Sequence, residues 1–269
     1  MTAAVAAKGN VLGVGVSMTD YRRTVDAIVA AAARQRPLGV TALAVHGVMC
    51  GALDAAQRWR LNHFDIVTPD GQPVRWALNL LHGAKLSERV YGPDLMLRIC
   101  ASAAENGLPV YFYGSKREVL DKLTNRLQAI YPKLQVAGAR PSLFRRSTDE
   151  ERLPIIDSIR QSGARIVFVG LGCPRQEVWV HENVSALGMP AIAIGAAFDF
   201  HAGLLPQAPP ALQKRGLEWA YRLVQEPRRL WRRYLLLNPL FIMMFLLQWS
   251  GARKFPGMGT APARLENYG

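Results

Sequence analysis

The stretch Ala164-Arg165-Ile166-Val167-Phe168-Val169-Gly170-Leu171-Gly172-Cys173-Pro174-Arg175-Gln176 decides the fold class of this chain. Its apolar run, Arg165–Val169, reads as a strand buried on both faces, the pattern of a central strand in a parallel sheet. The strand empties into a Gly-x-Gly loop, and a helix over Gln176–Leu187 follows. Strand, glycine loop and helix form one unit of an α/β protein.

The alternation continues in both directions. Strand-like Val11–Val16, Leu38–Val45, Phe64–Val67, Val110–Tyr113 and Leu134–Ala137 lie upstream. Helix-like Asp20–Arg34, Gly47–Arg60, Gln72–Leu81, Pro93–Asn106 and Arg117–Ile130 fall between and after them. Gly83 and Gly107 stand where helices stop, and Thr148 with Glu151 makes a capping box for a helix ending at Gly163. Strand Ala191–Ile194 closes the series. This order predicts an α/β fold with a mostly parallel sheet and helices on both faces. From Pro209 onward the pattern is wholly helical. Three parts are therefore expected: a main domain over 1–205, a helical appendage over 206–250, and a loose tail rich in Gly, Pro, Ala and Arg over 251–269.

The net charge of +13 calls for an anionic partner, and its distribution narrows the choice. Between Lys214 and Arg233, seven basic residues and two acids are interleaved with Trp219, Tyr221 and Trp231, and the apolar run Leu235–Trp249 follows directly. Basic and aromatic residues ahead of an apolar run suit a membrane surface, whereas a nucleic-acid groove has no use for the run. The run holds 15 residues interrupted by Asn238-Pro239, and a bilayer span needs about 20. It is expected to lie on or dip into a membrane without crossing. Met1–Asn10 lacks a signal-peptide pattern, and Cys50, Cys100 and Cys173 have no paired spacing that would imply a disulfide framework or zinc site. A reducing cytoplasm is the compartment these features suggest.

Ligands of open parallel sheets bind at the carboxyl ends of strands, which directs attention to three loops. Thr68-Pro69-Asp70-Gly71 suits a plain turn, and it equally suits a carboxylate held as general base at the sheet edge. Gly170 and Gly172 permit close approach of a diphosphate to the backbone ahead of a helix N-terminus, with Arg175 and Gln176 adjacent. Gly195–Gly203 offers small residues and Asp199, suited to a sugar or base or to a packed corner. No Asp-x-Asp suggests a metal-diphosphate site, and His46, His63, His82, His181 and His201 show no ligand spacing. Charge on a departing diphosphate must then be balanced by side chains. Arg222, Arg229 and Arg232, spaced by seven and three, suit one side of a helix or a lipid-facing basic stripe. A nucleotide-dependent oxidoreductase is a weaker reading, because the full G-x-G-x-x-G fingerprint is missing.

Thr68–Gly71, Tyr91-Gly92-Pro93-Asp94-Leu95-Met96, Gly170–Glu177, Gly216-Leu217-Glu218-Trp219 and Glu226-Pro227-Arg228-Arg229 occur in an order that closely resembles the WecG/TagA/CpsF family of bacterial glycosyltransferases. The resemblance covers roughly residues 10–245. Within it, Thr41–Val48 and Leu61–Asp65 look most like the GumM branch, the glucosyltransferases of xanthan-type exopolysaccharide assembly. It implies a Rossmann-like core with a helical appendage at the cytoplasmic face of the inner membrane. It also implies inverting transfer from a UDP-sugar donor to a polyprenyl-diphosphate-linked sugar, with no metal or other cofactor. Asp70 matches the family's base and Gln176 the Gln of its glycine loop. Arg222, Arg229 and Arg232 match the arginines thought to engage the diphosphate, and relatives oligomerise. Asp94 and His46 are the candidates on the acceptor side. One departure is that Ala42 and Ala44 occupy the places of a common Thr-x-Asn motif. That loss suggests a sugar other than N-acetylmannosamine, in agreement with glucose.

Overall fold

The structure, a computed structural model, describes residues 6–269. The first five residues of the Met1–Asn10 stretch lie outside that range, and with them part of the signal-peptide reading. The chain opens with a hairpin, β1 (Lys8–Val11) and β2 (Val14–Ser17), rather than with the single strand expected over Val11–Val16. Leu12 and Gly13 take φ of 55° and 88°. Two consecutive left-handed residues make the tight hairpin turn whose twist matches antiparallel strands, and the unbroken apolar run conceals it.

There follow α1 (Tyr21–Ala33), β3 (Leu38–Leu43), α2 (Val45–Leu53), α3 (Ala55–Asn62), β4 (Ile66–Pro69), α4 (Gln72–His82) and α5 (Gly92–Glu105). The middle of the chain holds β5 (Val110–Gly114), α6 (Arg117–Ile130), β6 (Val136–Arg140), α7 (Asp149–Gln161), β7 (Ile166–Gly170), α8 (Arg175–Leu187) and β8 (Pro190–Ala193). Four helices close it: α9 (Ala196–His201), α10 (Pro210–Lys214), α11 (Glu218–Gln225) and α12 (Pro227–Trp249). The expected helix Gly47–Arg60 is two helices. Asp54 ends α2 and caps α3, accepting from the Ala56 and Gln57 amides at 2.7 and 3.0 Å.

Six strands form one sheet in the order β4-β3-β8-β7-β5-β6, every neighbouring pair parallel. Alternation along β7 divides the core in two. Val167 and Val169 pack on one face, while Ile166 and Phe168 pack on the other. This is the α/β, Rossmann-like architecture the alternation predicts, with an apolar helix at its C-terminal side.

Helix α12 differs from expectation, because it runs unbroken through Pro239 for 23 residues. Proline within a helix costs about 3 kcal/mol. Burial of Leu230, Phe241 and Met244 offsets this, because each buried large apolar side chain contributes roughly 1.5–3 kcal/mol. The helix packs against α2 and α4. Its other side exposes Trp231, Leu235, Leu236, Ile242, Met243, Leu246 and Trp249. By length and composition alone it suffices to cross a membrane.

The residues beyond α12 are held to the body rather than loose. The Asn10 side-chain amide donates to the Phe255 carbonyl at 2.7 Å and that of Asn62 to the Gly257 carbonyl at 2.6 Å. Buried Arg60 donates to Glu266 at 3.0 Å, and the Glu266 amide donates to Glu182 at 2.8 Å. Composition reads this tail as loose, but Asn62 on α3 and Glu182 on α8 bond to its backbone.

The capping box of α7 forms as the sequence predicts: the Glu151 amide donates to Thr148 Oγ1, and the Thr148 amide to Glu151. Replacing Thr148 by Ala is expected to cost about 1 kcal/mol, measured as a lower urea midpoint at unchanged slope. An unchanged midpoint would show that the box contributes nothing to global stability.

Candidate active site

The carboxyl ends of β3, β4, β7 and β8 bring four loops to one edge of the sheet, and two cavities meet there. The larger, about 420 Å³, is bounded by Gly170–Cys173, Arg175, Gln176, Gly195–Ala197, Asp199, Arg222, Arg229 and Arg233. The smaller, about 140 Å³, is bounded by Tyr91, Phe200, Trp219 and Tyr234 together with Arg89 and Glu218. Asp70, His46, Arg222 and Arg233 line both. One cavity is thus polar and glycine-walled and its neighbour is aromatic, with a carboxylate at their junction.

Asp70 is placed by the end of β4. Its amide donates to the Leu43 carbonyl at 3.1 Å, tying the loop to β3, and its Oδ1 accepts from the Gly92 amide at 3.3 Å. Burial pushes its carboxyl up to about 7 and Glu218 adds to the rise, while Arg89, the Gly92 amide and Arg222 oppose it. A carboxyl in that range changes between acid and base near neutral pH, as a general base must.

A buried knot lies beside it. Arg89 donates to Glu218 at 2.6 Å and to Gln213 at 3.0 Å, the Tyr91 hydroxyl donates to Glu218 at 2.9 Å, and the Arg89 guanidinium lies 4.1 Å from the Tyr91 ring centre. Burial and the Glu218 charge both hold the Tyr91 phenol well above its usual range. Glu218 thereby fixes α11 over the smaller cavity. Sequence reasoning passed over Arg89, Tyr91 and Glu218 as functional residues. The available signal was Glu218 itself, one of only two acids in a strongly basic segment.

The glycine loop is shaped by close backbone approach. A Cβ on Gly114 would lie 2.5 Å from the Gly170 carbonyl oxygen, and Gly114 has φ of 113°, so only glycine fits where β5 and β7 end. Gln176 lines the cavity, yet its side chain is buried and braced. It accepts from the Gly195 amide at 2.9 Å and donates to Glu177 at 2.9 Å. Glu177, fully buried, also accepts from Thr41 Oγ1 at 3.1 Å, so a single carboxylate joins β3 to the loops after β7 and β8. Burial raises the Glu177 carboxyl, and the hydrogen bonds from Gln176 and Thr41, with the nearby Cys173 thiol, oppose that rise. Asp199 on α9 faces the larger cavity. Burial raises its carboxyl while Arg229, Arg222 and Lys116 pull it down.

The arginines do not share one helix face. Glu226, with φ of −129° and ψ of 57°, breaks the chain between α11, which carries Arg222, and α12, which carries Arg229 and Arg232. After the break, Arg229 and Arg233, one turn apart, line the larger cavity. Arg232 is exposed, 5.2 Å from the Trp231 ring centre, and outside both cavities. Asp94 is likewise exposed outside them, its carboxylate 3.4 Å from the Tyr21 hydroxyl. His46 lines both cavities, and Ala42 and Ala44 line the larger one.

The raised Asp70 carboxyl has a stability consequence. A folded value near 7, above the ordinary 3.8, makes the protonated form a stabilising contribution that is complete below about pH 4 and lost as pH rises through 7. Asp70→Asn is therefore expected to raise the melting temperature relative to wild type at pH 8 and to change it little at pH 4. Parallel thermal melts of the two proteins across that range check this, and a constant difference at all pH values would remove the buried charge as the cause.

A family model described as the glycosyl transferase WecG/TagA/CpsF family matches residues 9–255, nearly the whole of the sheet, the cleft and the helices over it. The chain belongs to the WecG/TagA/CpsF family of glycosyltransferases.

Proposed function

We propose that this glycosyltransferase moves glucose from UDP-glucose to glucosyl-diphospho-polyprenol, forming a β-1,4-linked disaccharide lipid for exopolysaccharide assembly. The observation that carries the reading is the position of Asp70 between a polar, arginine-rimmed cavity and an aromatic one. In this reading the larger cavity takes the nucleotide sugar and the smaller takes the acceptor. Asp70 as carboxylate accepts the proton of the acceptor hydroxyl. The oxygen attacks the anomeric carbon from the side opposite UDP, the bond to the diphosphate breaks, and the configuration inverts. Arg222, Arg229 and Arg233 supply positive charge for the departing diphosphate, a role that needs no metal ion. Gly170 and Gly172 allow the backbone to approach the nucleotide, and Gln176 supports the loop from behind.

The choice of glucose rests on Ala42 and Ala44 and on the likeness to the xanthan-pathway branch. Attachment to the cytoplasmic face of the inner membrane, as a peripheral protein, is supported by the exposed apolar side of α12 and the basic residues at its start. In this arrangement the segment 206–250 serves as an appendage that supplies diphosphate contacts and the membrane face.

UDP release is the test, measured with UDP-glucose and with UDP-N-acetylmannosamine, each with and without a short-chain glucosyl-diphospho-lipid. Acceptor-dependent release from UDP-glucose alone is expected. Release from UDP-N-acetylmannosamine instead would overturn the donor assignment while keeping the reaction class. Asp70→Asn is expected to lower kcat by about 10²–10⁴-fold, and the wild-type rate should rise through pH 7 as the carboxyl ionises. Turnover retained in that variant would remove Asp70 as the base. Arg233→Ala is expected to impair turnover and Arg232→Ala to change it little. The reverse order would place the diphosphate elsewhere.

A further inference from the structure

The structure places side by side three soft ligands that lie far apart in the sequence. His46 and Cys50 stand one turn apart on α2, and Cys173 lies in the glycine loop ahead of α8. One ligand atom from each comes within 4.8 Å of the other two. The Cys50 sulfur is 3.9 Å from His46 Nδ1 and 3.8 Å from Nε2. All three side chains are half-buried, and both cysteines are free thiols. In a tetrahedral zinc site, bonds of about 2.3 Å to sulfur and 2.0–2.1 Å to nitrogen place neighbouring ligand atoms roughly 3.5–3.8 Å apart. The observed spacing needs a contraction of only a few tenths of an ångström at the Cys50–His46 pair.

We propose that His46, Cys50 and Cys173 form a binding site for a thiophilic divalent cation of the Zn²⁺ class. Two thiolates and a neutral imidazole are the ligand set that such a cation selects over Mg²⁺ or Ca²⁺, which require oxygen. Two thiolates balance the charge of the cation, so the complex adds no net charge beside Arg233. A polar neighbour stands ready around it: Glu177 is fully buried, its Oε2 has no hydrogen-bond partner, and Cys173 approaches its carboxylate. The site borders the cleft, since His46 lines both cavities. Cys50 lies behind the cavity wall, and Cys173 belongs to the loop that forms it. A bound cation therefore clamps the glycine loop to α2 and fixes the spacing of one wall of the cleft. Sequence spacing showed no zinc pattern, because the parallel crossovers alone bring Cys173 to α2.

The test uses the full-length protein, freed of metal and kept reduced with a phosphine. Zn²⁺ affinity is measured by competition with a chromophoric chelator, and Co²⁺ serves as a spectroscopic probe. One Zn²⁺ per chain and a thiolate-to-Co²⁺ charge-transfer band are expected. Cys50→Ser should weaken Zn²⁺ by at least about tenfold, the loss seen when even a supporting partner of a metal site is removed. It should also weaken the charge-transfer band, which the Cys173 thiolate alone would then carry. Cys100→Ala, whose thiol is buried in α5 away from the cluster, should bind as wild type does. Cys173→Ser repeats the measurement at the other thiol, and melting curves without metal confirm that each variant is folded. No Zn²⁺ bound by the reduced wild type, unchanged binding in folded Cys50→Ser, or a Cys50–Cys173 disulfide that persists under the phosphine would each overturn the site. The readout needs no sugar donor or acceptor, so its result stands apart from the assignment of glucose.

Discussion

A guanidinium and a carboxylate 2.6 Å apart, Arg89 and Glu218, hold α11 over the cleft. Both side chains are largely withdrawn from solvent. Removing one partner of a buried pair leaves the other charge uncompensated, at a cost of about 3–5 kcal/mol. The pair therefore specifies one docking position for α11 and disfavours others. Trp219 follows Glu218 directly, so the aromatic wall of the smaller cavity is set by the same contact. Asp70 senses both charges in opposite directions. The contact that closes the cleft thus also takes part in setting the affinity of Asp70 for a proton.

The cleft floor depends on a second constraint, the close approach of backbones at the ends of the central strands. Gly114, Gly170 and Gly195 stand where a side chain would meet a neighbouring backbone, an aromatic ring or Gln176. With those positions bare, Glu177 can reach Thr41 and Gln176 together. The glycine loop is consequently shaped from below by a buried carboxylate. Its rigidity comes from the strands on either side.

Much of the architecture was legible in the residues. Continuous apolar strands between amphipathic helices read directly as a parallel sheet, and Asp70, Gly170, Gly172, Gln176 and Asp199 were marked because they follow strands. The misreadings share a cause, which is that local pattern is silent about tertiary partners. Leu12-Gly13 turns inside an apolar run because the hairpin packs both of its arms. Pro239 stays helical because Phe241 and Met244 are buried beyond it. Arg222, Arg229 and Arg232 read as one side of a helix, but Glu226 ends one helix and re-aims the next, which spacing arithmetic along a single helix cannot register. Arg89 drew no notice and Cys50 was set aside as a ligand, because the one acquires its meaning from Glu218 and the other from Cys173, both distant in sequence.

The return of the tail to residues early in the chain bears on how the protein folds. Gln248, near the end of α12, bonds to Asn10 and Leu12, and the residues after it run on to Asn62, Arg60 and Glu182. The contacts that fasten the far end of α12 thus join the two ends of the chain, so they can close only once α12 itself has been made. Until they close, a continuous apolar helix is free to meet a chaperone or a lipid surface. The order of folding, as well as equilibrium stability, thus influences whether α12 first meets its own fold or the bilayer.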